Sequence, residues 1–224
     1  VNVAFVLFPN VTQLDLMGPL QVLSRLPDST THVVAGSREP VPTDCGVAIV
    51  PTASFDEVTD VDLLCVPGGY GVVDALADPA LMDFVRDRGR RADWVTSVCT
   101  GAFVLGVAGL LTGKRATTHW AYRELLRDFG AEPVDERVVR DGGVVTGGGV
   151  TAGIDFALSI AREIFGDDLV ASIQLAIEYD PAPPLNAGSP KTAPASVLES
   201  TRAAFARRID AFGGEVRERL KARS

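Results

Sequence analysis

Two residues of reactive type, Asp15 and Cys99, sit against apolar runs rather than in open polar sequence. Cys99 follows the strand-like run Trp94-Val95-Thr96-Ser97-Val98 and directly precedes the helix-like run Thr100-Gly101-Ala102-Phe103-Val104-Leu105. A thiol on such a strand-to-helix elbow lies near the positive end of a helix dipole, beside free backbone N–H groups. Both favour the thiolate, the nucleophilic form. Serine and cysteine hydrolases present their nucleophiles on the same kind of turn. The alternative is a buried structural thiol, a common state of cysteine. Asp15 stands between Leu14 and Leu16-Met17. Apolar surroundings desolvate a carboxyl and raise its pKa towards the range of a general acid or base. By itself it is equally a helix-start carboxylate favoured by the dipole. The Thr100 hydroxyl is placed either to hold Asp15 or a water, or to act only as the helix N-cap.

Gly68-Gly69 is the third feature. Glycine lets the backbone approach a ligand and aim N–H groups at it, and the Thr100 N–H is a further donor for such an oxyanion-type pocket. The pair is also what a plain turn needs. It lacks the spacing of a phosphate-binding loop or a dinucleotide fingerprint, so no nucleotide cofactor is expected. His119, the candidate imidazole, falls at a different strand end from Cys99. Cys65 lies inside a strand with no helix beginning beside it and reads as core, and Cys45, in an Asp-Cys-Gly turn, has no evident role.

These residues need elements to bring them together, and the chain alternates strand-like and helix-like runs. Val3–Phe8 and Val61–Val66 are continuous apolar runs, as expected of strands buried on both faces of a parallel sheet. His32–Ala35 and Trp94–Val98 read as further strands, Val47–Val50 as a short antiparallel one, and Arg115–Thr118 as another. Arg137–Thr146 reads as a hairpin about Asp141-Gly142. Helical patterns cover Leu14–Leu26, Pro79–Gly89, the stretch after Cys99 to about Leu111, Ala121–Phe129, Thr151–Phe165 and Asp168–Ile177. Pro181–Pro194 is linker-like, and helical periodicity returns over Ala195–Phe212. The alternation predicts one α/β domain over residues 1–224, a doubly wound sandwich with a helical extension over about 193–224. In such sheets ligands sit outside the carboxyl ends of the strands. The ends of the Val3, Val61 and Trp94 strands are therefore the predicted site.

Composition narrows the function classes. With 224 residues, 46% hydrophobic and 22% charged, the chain has the balance of a soluble globular protein. A net charge of −8 argues against nucleic acid or an anionic membrane as the main partner. Thr201–Ser224 carries seven basic residues (Arg202, Arg207, Arg208, Arg217, Arg219, Lys221, Arg223) against three acidic ones, and reads as a solvated helix face or a mobile tail. Three cysteines and two histidines at unrelated spacings make neither a disulfide set nor a metal site. Val1–Phe8 lacks the basic start of a signal peptide, and no run is long enough to span a membrane. A cytoplasmic protein with reduced thiols is expected.

The elbow Ser97-Val98-Cys99-Thr100-Gly101-Ala102-Phe103, the Val66-Pro67-Gly68-Gly69 loop and the opening Phe8–Pro19 together resemble the ThiJ/PfpI superfamily. Arg115-Ala116-Thr117-Thr118-His119-Trp120 and Gln174–Pro184 point, within it, to the isonitrile (isocyanide) hydratase branch. Asp15 in place of the glutamate common elsewhere, and Thr100 in place of the histidine of the peptidase-like branch, favour the same branch. The resemblance implies a three-layer α/β/α sandwich of flavodoxin-like, class I glutamine amidotransferase-like type, with a mostly parallel sheet and a nucleophile elbow. It implies a cofactor-independent homodimer that hydrates isocyanides to N-substituted formamides. Cys99 is then the nucleophile, Asp15 the acid/base, and Thr100 the neighbour that orients Asp15 or water. Trp120, Val150 and Ile154 are candidates to line an apolar pocket, or equally core residues. A rival reading is the sensor domain of AraC-type regulators, whose elbow and Arg-Ala-Thr-Thr-His-Trp segments look similar. Those chains continue into a helix-turn-helix region, whereas this sequence stops at Ser224.

Overall fold

The computed structural model describes residues 1–221, so Arg223 and the end of the expected helical extension lie outside the described residues. The elements run β1 (Asn2–Val6), α1 (Gln13–Leu23), β2 (Thr30–Ala35), β3 (Val41–Pro42), β4 (Ala48–Ile49), β5 (Ala53–Ser54) and β6 (Leu63–Val66). They continue with α2 (Val72–Ala77), α3 (Pro79–Gly89), β7 (Trp94–Val98), α4 (Gly101–Val107), β8 (Arg115–Ala116) and a 3-10 helix over Trp120–Phe129. Then come β9 (Glu132–Pro133), β10 (Val138–Asp141), β11 (Val144–Gly147), α5 (Ala152–Phe165), α6 (Asp167–Ala176) and α7 (Ala195–Lys221).

The main sheet has the order β10-β11-β7-β6-β1-β2-β5. Every neighbouring pair in it is parallel except β10 with β11, the hairpin read from Asp141-Gly142. Residues 3–6, 63–66, 95–98 and 144–147 are all buried, which is why those strands are apolar without alternation. The chain winds outward from β1 through β2 to β5, then returns to β6 and runs the other way through β7 to β11. Right-handed crossovers place α1 on one face and α3 and α4 on the other after that reversal. Accordingly α1 packs on α5, and α2 on α3 and α4, giving three layers. The reversal opens a crevice between the carboxyl ends of β1 and β6.

Some elements depart from the sequence reading. β8 stops at Ala116 and pairs with β9 in a separate two-stranded sheet, so it is not a strand of the core sheet. The helix after Cys99 ends at Val107 rather than near Leu111, because Gly109 takes a left-handed conformation (φ +79°) that cannot continue it. Trp120–Phe129 is 3-10 rather than α-helical. The largest departure is the basic C-terminal segment. It forms the 27-residue helix α7, which packs on α2, α4 and the 3-10 segment and buries Val216 in the same apolar cluster as β1 and β6. Phe205, Ile209, Phe212 and Val216 recur at helical spacing, so the segment is one flank of the molecule rather than a free tail.

Candidate active site

The three predicted strand ends do meet. Asp15 is in the first turn of α1 after β1, Gly68-Gly69 follows β6, and Cys99 ends β7. Their convergence depends on a glycine outside the reactive set. A Cβ on Gly101 would lie 2.2 Å from the Val66 carbonyl oxygen, so only glycine lets α4 start against the end of β6. Cys99 itself sits at φ +53°, a left-handed conformation that costs a non-glycine residue about 1–3 kcal/mol. Three hydrogen bonds hold it there. Its N–H donates to the carbonyls of Gly147 (3.2 Å) and Gly148 (2.8 Å), and its carbonyl accepts from the Thr118 hydroxyl (2.5 Å). Thr118 lies in the Arg115–Trp120 segment that supports the resemblance but is given no role there, and the Gly147-Gly148 pair belongs to no motif, yet together they fix the elbow.

The glycine loop serves a different purpose from the one its sequence suggests. Gly68 N–H donates to Asp15 Oδ2 (3.0 Å), and Gly69 N–H donates to Thr100 Oγ1 (3.0 Å). Both amides are thus spent on positioning the acid and the threonine instead of being aimed at a ligand. A Cβ on Gly68 would come within 2.6–2.8 Å of Thr100 N, Thr100 Oγ1 and Asp15 Oδ2, so this residue is the spacer around which the site is packed. Thr100 is at the N-cap position of α4, but its hydroxyl makes no capping bond. It is bonded to Gly69 and not to Asp15, so its positioning role runs through the loop. The amides that do reach the Cys99 sulfur are those of Thr100 and Val150. Val150 contributes its backbone, and the Gly-rich turn after β11 delivers it.

Asp15 is fully buried. Burial pushes its pKa from 3.8 up to about 7, against the opposing pull of the Gly68 N–H and of the neighbouring Cys99 thiol; the Gly68 N–H bonds Oδ2, while Oδ1 has no partner. The sequence suggested a thiolate stabilised by the helix terminus. Instead, burial first and the Asp15 charge second raise the Cys99 pKa, outweighing the Thr100 and Val150 amides. The reason is proximity: two acids in a desolvated site cannot both ionise readily, so the pair behaves as one coupled unit. Cys65, fully buried in β6, is pushed up to about 12 by burial and remains a core thiol, as expected. Cys45 is exposed and donates to Gln13 Oε1 (2.6 Å).

Cys99 opens onto a cleft of about 650 Å³. Its apolar walls are Val73, Tyr122, Val150, Phe205, Ala211 and Phe212, with His119 beside them. Two expected lining residues are elsewhere. Trp120 packs tilted against His119 and edge-on to Phe205 (5.6 and 5.9 Å between ring centres), and Ile154 packs over Gly18 on α1. Tyr122, two residues beyond Trp120 on the 3-10 segment, lines the cleft in its place. His119 Nδ1 accepts the Ala121 N–H (3.3 Å), and burial with the nearby Arg123 charge lowers its pKa. The imidazole is therefore neutral at physiological pH and carries its proton on Nε2. Among the described residues, no cluster of His, Cys, Asp or Glu is arranged to hold a metal ion, and no helix is long and apolar enough to cross a membrane.

Comparison with known proteins agrees with this geometry. The chain is 52% identical over 201 residues to an isonitrile hydratase of Pseudomonas putida, covering 90% of this chain and 88% of that one. A crystal structure of a ThiJ/PfpI family protein from Pseudomonas syringae superposes with a TM-score of 0.92 at 43% identity, over 98% of this chain and 90% of that one. Drosophila melanogaster DJ-1beta shares the fold, with a TM-score of 0.72 at 24% identity over 79% of this chain and 97% of its own. The DJ-1/PfpI family pattern matches residues 1–163, the part that carries Asp15, Gly68, Cys99 and Thr100. The chain belongs to the DJ-1/PfpI family.

Proposed function

We propose that the protein is an enzyme that hydrates isocyanides to N-substituted formamides, with Cys99 as nucleophile and Asp15 as acid/base. The observation that carries this reading is the buried Asp15 carboxyl, raised to about 7, electrostatically coupled to the Cys99 thiol and with its Oδ1 unpartnered, at the foot of a largely apolar cleft. The likeness to the isonitrile hydratase of Pseudomonas putida supports it. In the first step the Asp15 carboxylate takes the Cys99 proton, and sulfur bonds to the terminal carbon of R–N≡C. Asp15 then returns that proton to the same carbon, leaving a thioimidate, R–N=CH–S–Cys99. Water next adds to the thioimidate carbon, and Asp15 takes its proton and passes it to the nitrogen. The C–S bond of the R–NH–CH(OH)–S–Cys99 adduct then breaks, releasing R–NH–CHO, and Asp15 carries the hydroxyl proton to the sulfur to restore the thiol. The Thr100 and Val150 amides hold the sulfur whenever it carries charge. Thr100 positions Gly69, and the apolar walls suit a substrate with little to hydrogen-bond.

The reading extends to a single α/β domain acting as a homodimer in a reducing cytoplasm. The burial of Val216 in the shared core supports the first part, and sedimentation velocity tests the second. The central experiment follows formamide production from cyclohexyl isocyanide by chromatography. Turnover in the parent and none in Cys99→Ala is expected. Saturable binding without turnover in the parent overturns the enzyme reading in favour of a ligand sensor.

A further inference from the structure

The family pattern ends at residue 163, yet one wall of the cleft over Cys99 comes from α7, which begins at Ala195. Phe205, Arg208, Ala211, Phe212 and Glu215 all face the cleft, at spacings that put them on one side of the helix. That side is fixed rather than loosely laid. Phe212 packs edge-on against Phe103 and Tyr122 (4.9 and 5.3 Å between ring centres), and Phe205 lies against His119 (5.4 Å). Arg208 donates to the Tyr70 hydroxyl (2.8 Å) across the mouth, and Arg217 pairs with Asp128 (3.0 Å). Ala211 is exposed on the wall between these anchors, so its small side chain leaves room in the cleft.

Resting on the hydratase reading, we propose that α7 is the specificity element of this enzyme: Phe205, Ala211 and Phe212 select isocyanides whose nitrogen bears a bulky apolar group. The isocyano function is two atoms long and nearly identical in every substrate, so the Asp15–Cys99 floor cannot tell one from another. A cleft of about 650 Å³ leaves most of its volume to the substituent, and α7 supplies five of its described lining residues, Phe205, Arg208, Ala211, Phe212 and Glu215. A pocket discriminates apolar groups by roughly tenfold or more per misfit of one to a few carbons.

The test compares kcat/KM for cyclohexyl and methyl isocyanide, whose ratio does not depend on the fraction of active protein. Ala211→Phe fills the cleft and is expected to lower the cyclohexyl-to-methyl ratio by roughly tenfold or more; Phe205→Ala widens it and is expected to shift the ratio the opposite way. A ratio unchanged in both variants overturns the proposal. The same wall is read without isocyanide chemistry by alkylation of Cys99, mapped by mass spectrometry in a Cys45→Ser background. There, Ala211→Phe is expected to slow N-benzylmaleimide several-fold more than iodoacetamide, and equal slowing overturns the assignment. Selective alkylation without any isocyanide turnover would instead sustain the wall and sink the reaction.

Discussion

The floor and the roof of the cleft are built by different physics. The floor, made of Asp15, Gly68, Cys99 and Thr100, is buried, sterically tight and electrostatically coupled, and it lies within the segment shared with the DJ-1/PfpI family. The roof, α7, is mostly exposed and held by its apolar stripe with Val216 buried in the core cluster, by aromatic contacts, and by Arg208 and Arg217 at its rim. In the floor a displacement of a few tenths of an ångström changes proton positions. If α7 selects the substituent, the same displacement in the roof changes only the shape offered to it, and reaction type and substrate range are then separable in this molecule.

Changes that should separate them differ in size. Cys99→Ala is expected to remove turnover by at least about 10³-fold for every substrate, since its thiol is the only thiol among the described residues lining the cleft and the Thr100 hydroxyl is held by Gly69. Equal residual rates in parent and variant would contradict the covalent step. Asp15→Asn is expected to cost about 10²–10⁴-fold in kcat, again independent of substituent. Its second signature lies in pH. In the parent, kcat/KM should rise as Asp15 ionises through about pH 7, and a pH–rate series on Asp15→Asn should lose that limb.

Stability runs the other way. Below pH 3.8 both folded and unfolded Asp15 are protonated; between 3.8 and about 7 only the unfolded chain releases the proton, so the native state is increasingly penalised. Above about pH 7 the penalty is full, at most about 4 kcal/mol for a gap from 3.8 to about 7. Urea denaturation should therefore find Asp15→Asn more stable than the parent at pH 8 and not at pH 4. A variant equally stable or weaker at both would remove the desolvation argument.

On the roof, Phe212→Ala is expected to lower stability by about 2–3 kcal/mol, less than a fully buried phenylalanine because the ring is half-buried. Tm and kcat measured together check this, and a loss of kcat as deep as that of Asp15→Asn would show that roof and floor are not separable. The smallest effect is expected of Thr100→Val, which leaves the Gly69 N–H without its partner at a cost of about 1–3 kcal/mol. If that variant retained both full stability and full kcat, the Thr100–Gly69 bond would have no positioning role.

Much of the floor was legible before any coordinates. Strands buried on both faces announce themselves as Val3–Phe8 and Val61–Val66, and a doubly wound order then forces residues after three different strands to one edge. Asp15, Gly68-Gly69 and Cys99 could be brought together on that basis. The direction of the glycine amides could not, because a Gly-Gly sequence permits several turns and only contact with Asp15 and Thr100 selects one. The roof is hidden in the sequence for a different reason. The many arginines of α7 dominate its sequence, while the stripe of Phe205, Ile209, Phe212 and Val216, visible at helical spacing, does not say against what it packs.

The sequence by itself determined the doubly wound alternation, the elbow and the candidate acid and thiol, because backbone propensity and apolar periodicity are local. Tertiary structure alone decided their ionisation, the use of the Val150 amide and the wall over Cys99. Desolvation, charge coupling and cavity shape depend on which distant residues come within a few ångströms, and that distance is a property of the folded chain only.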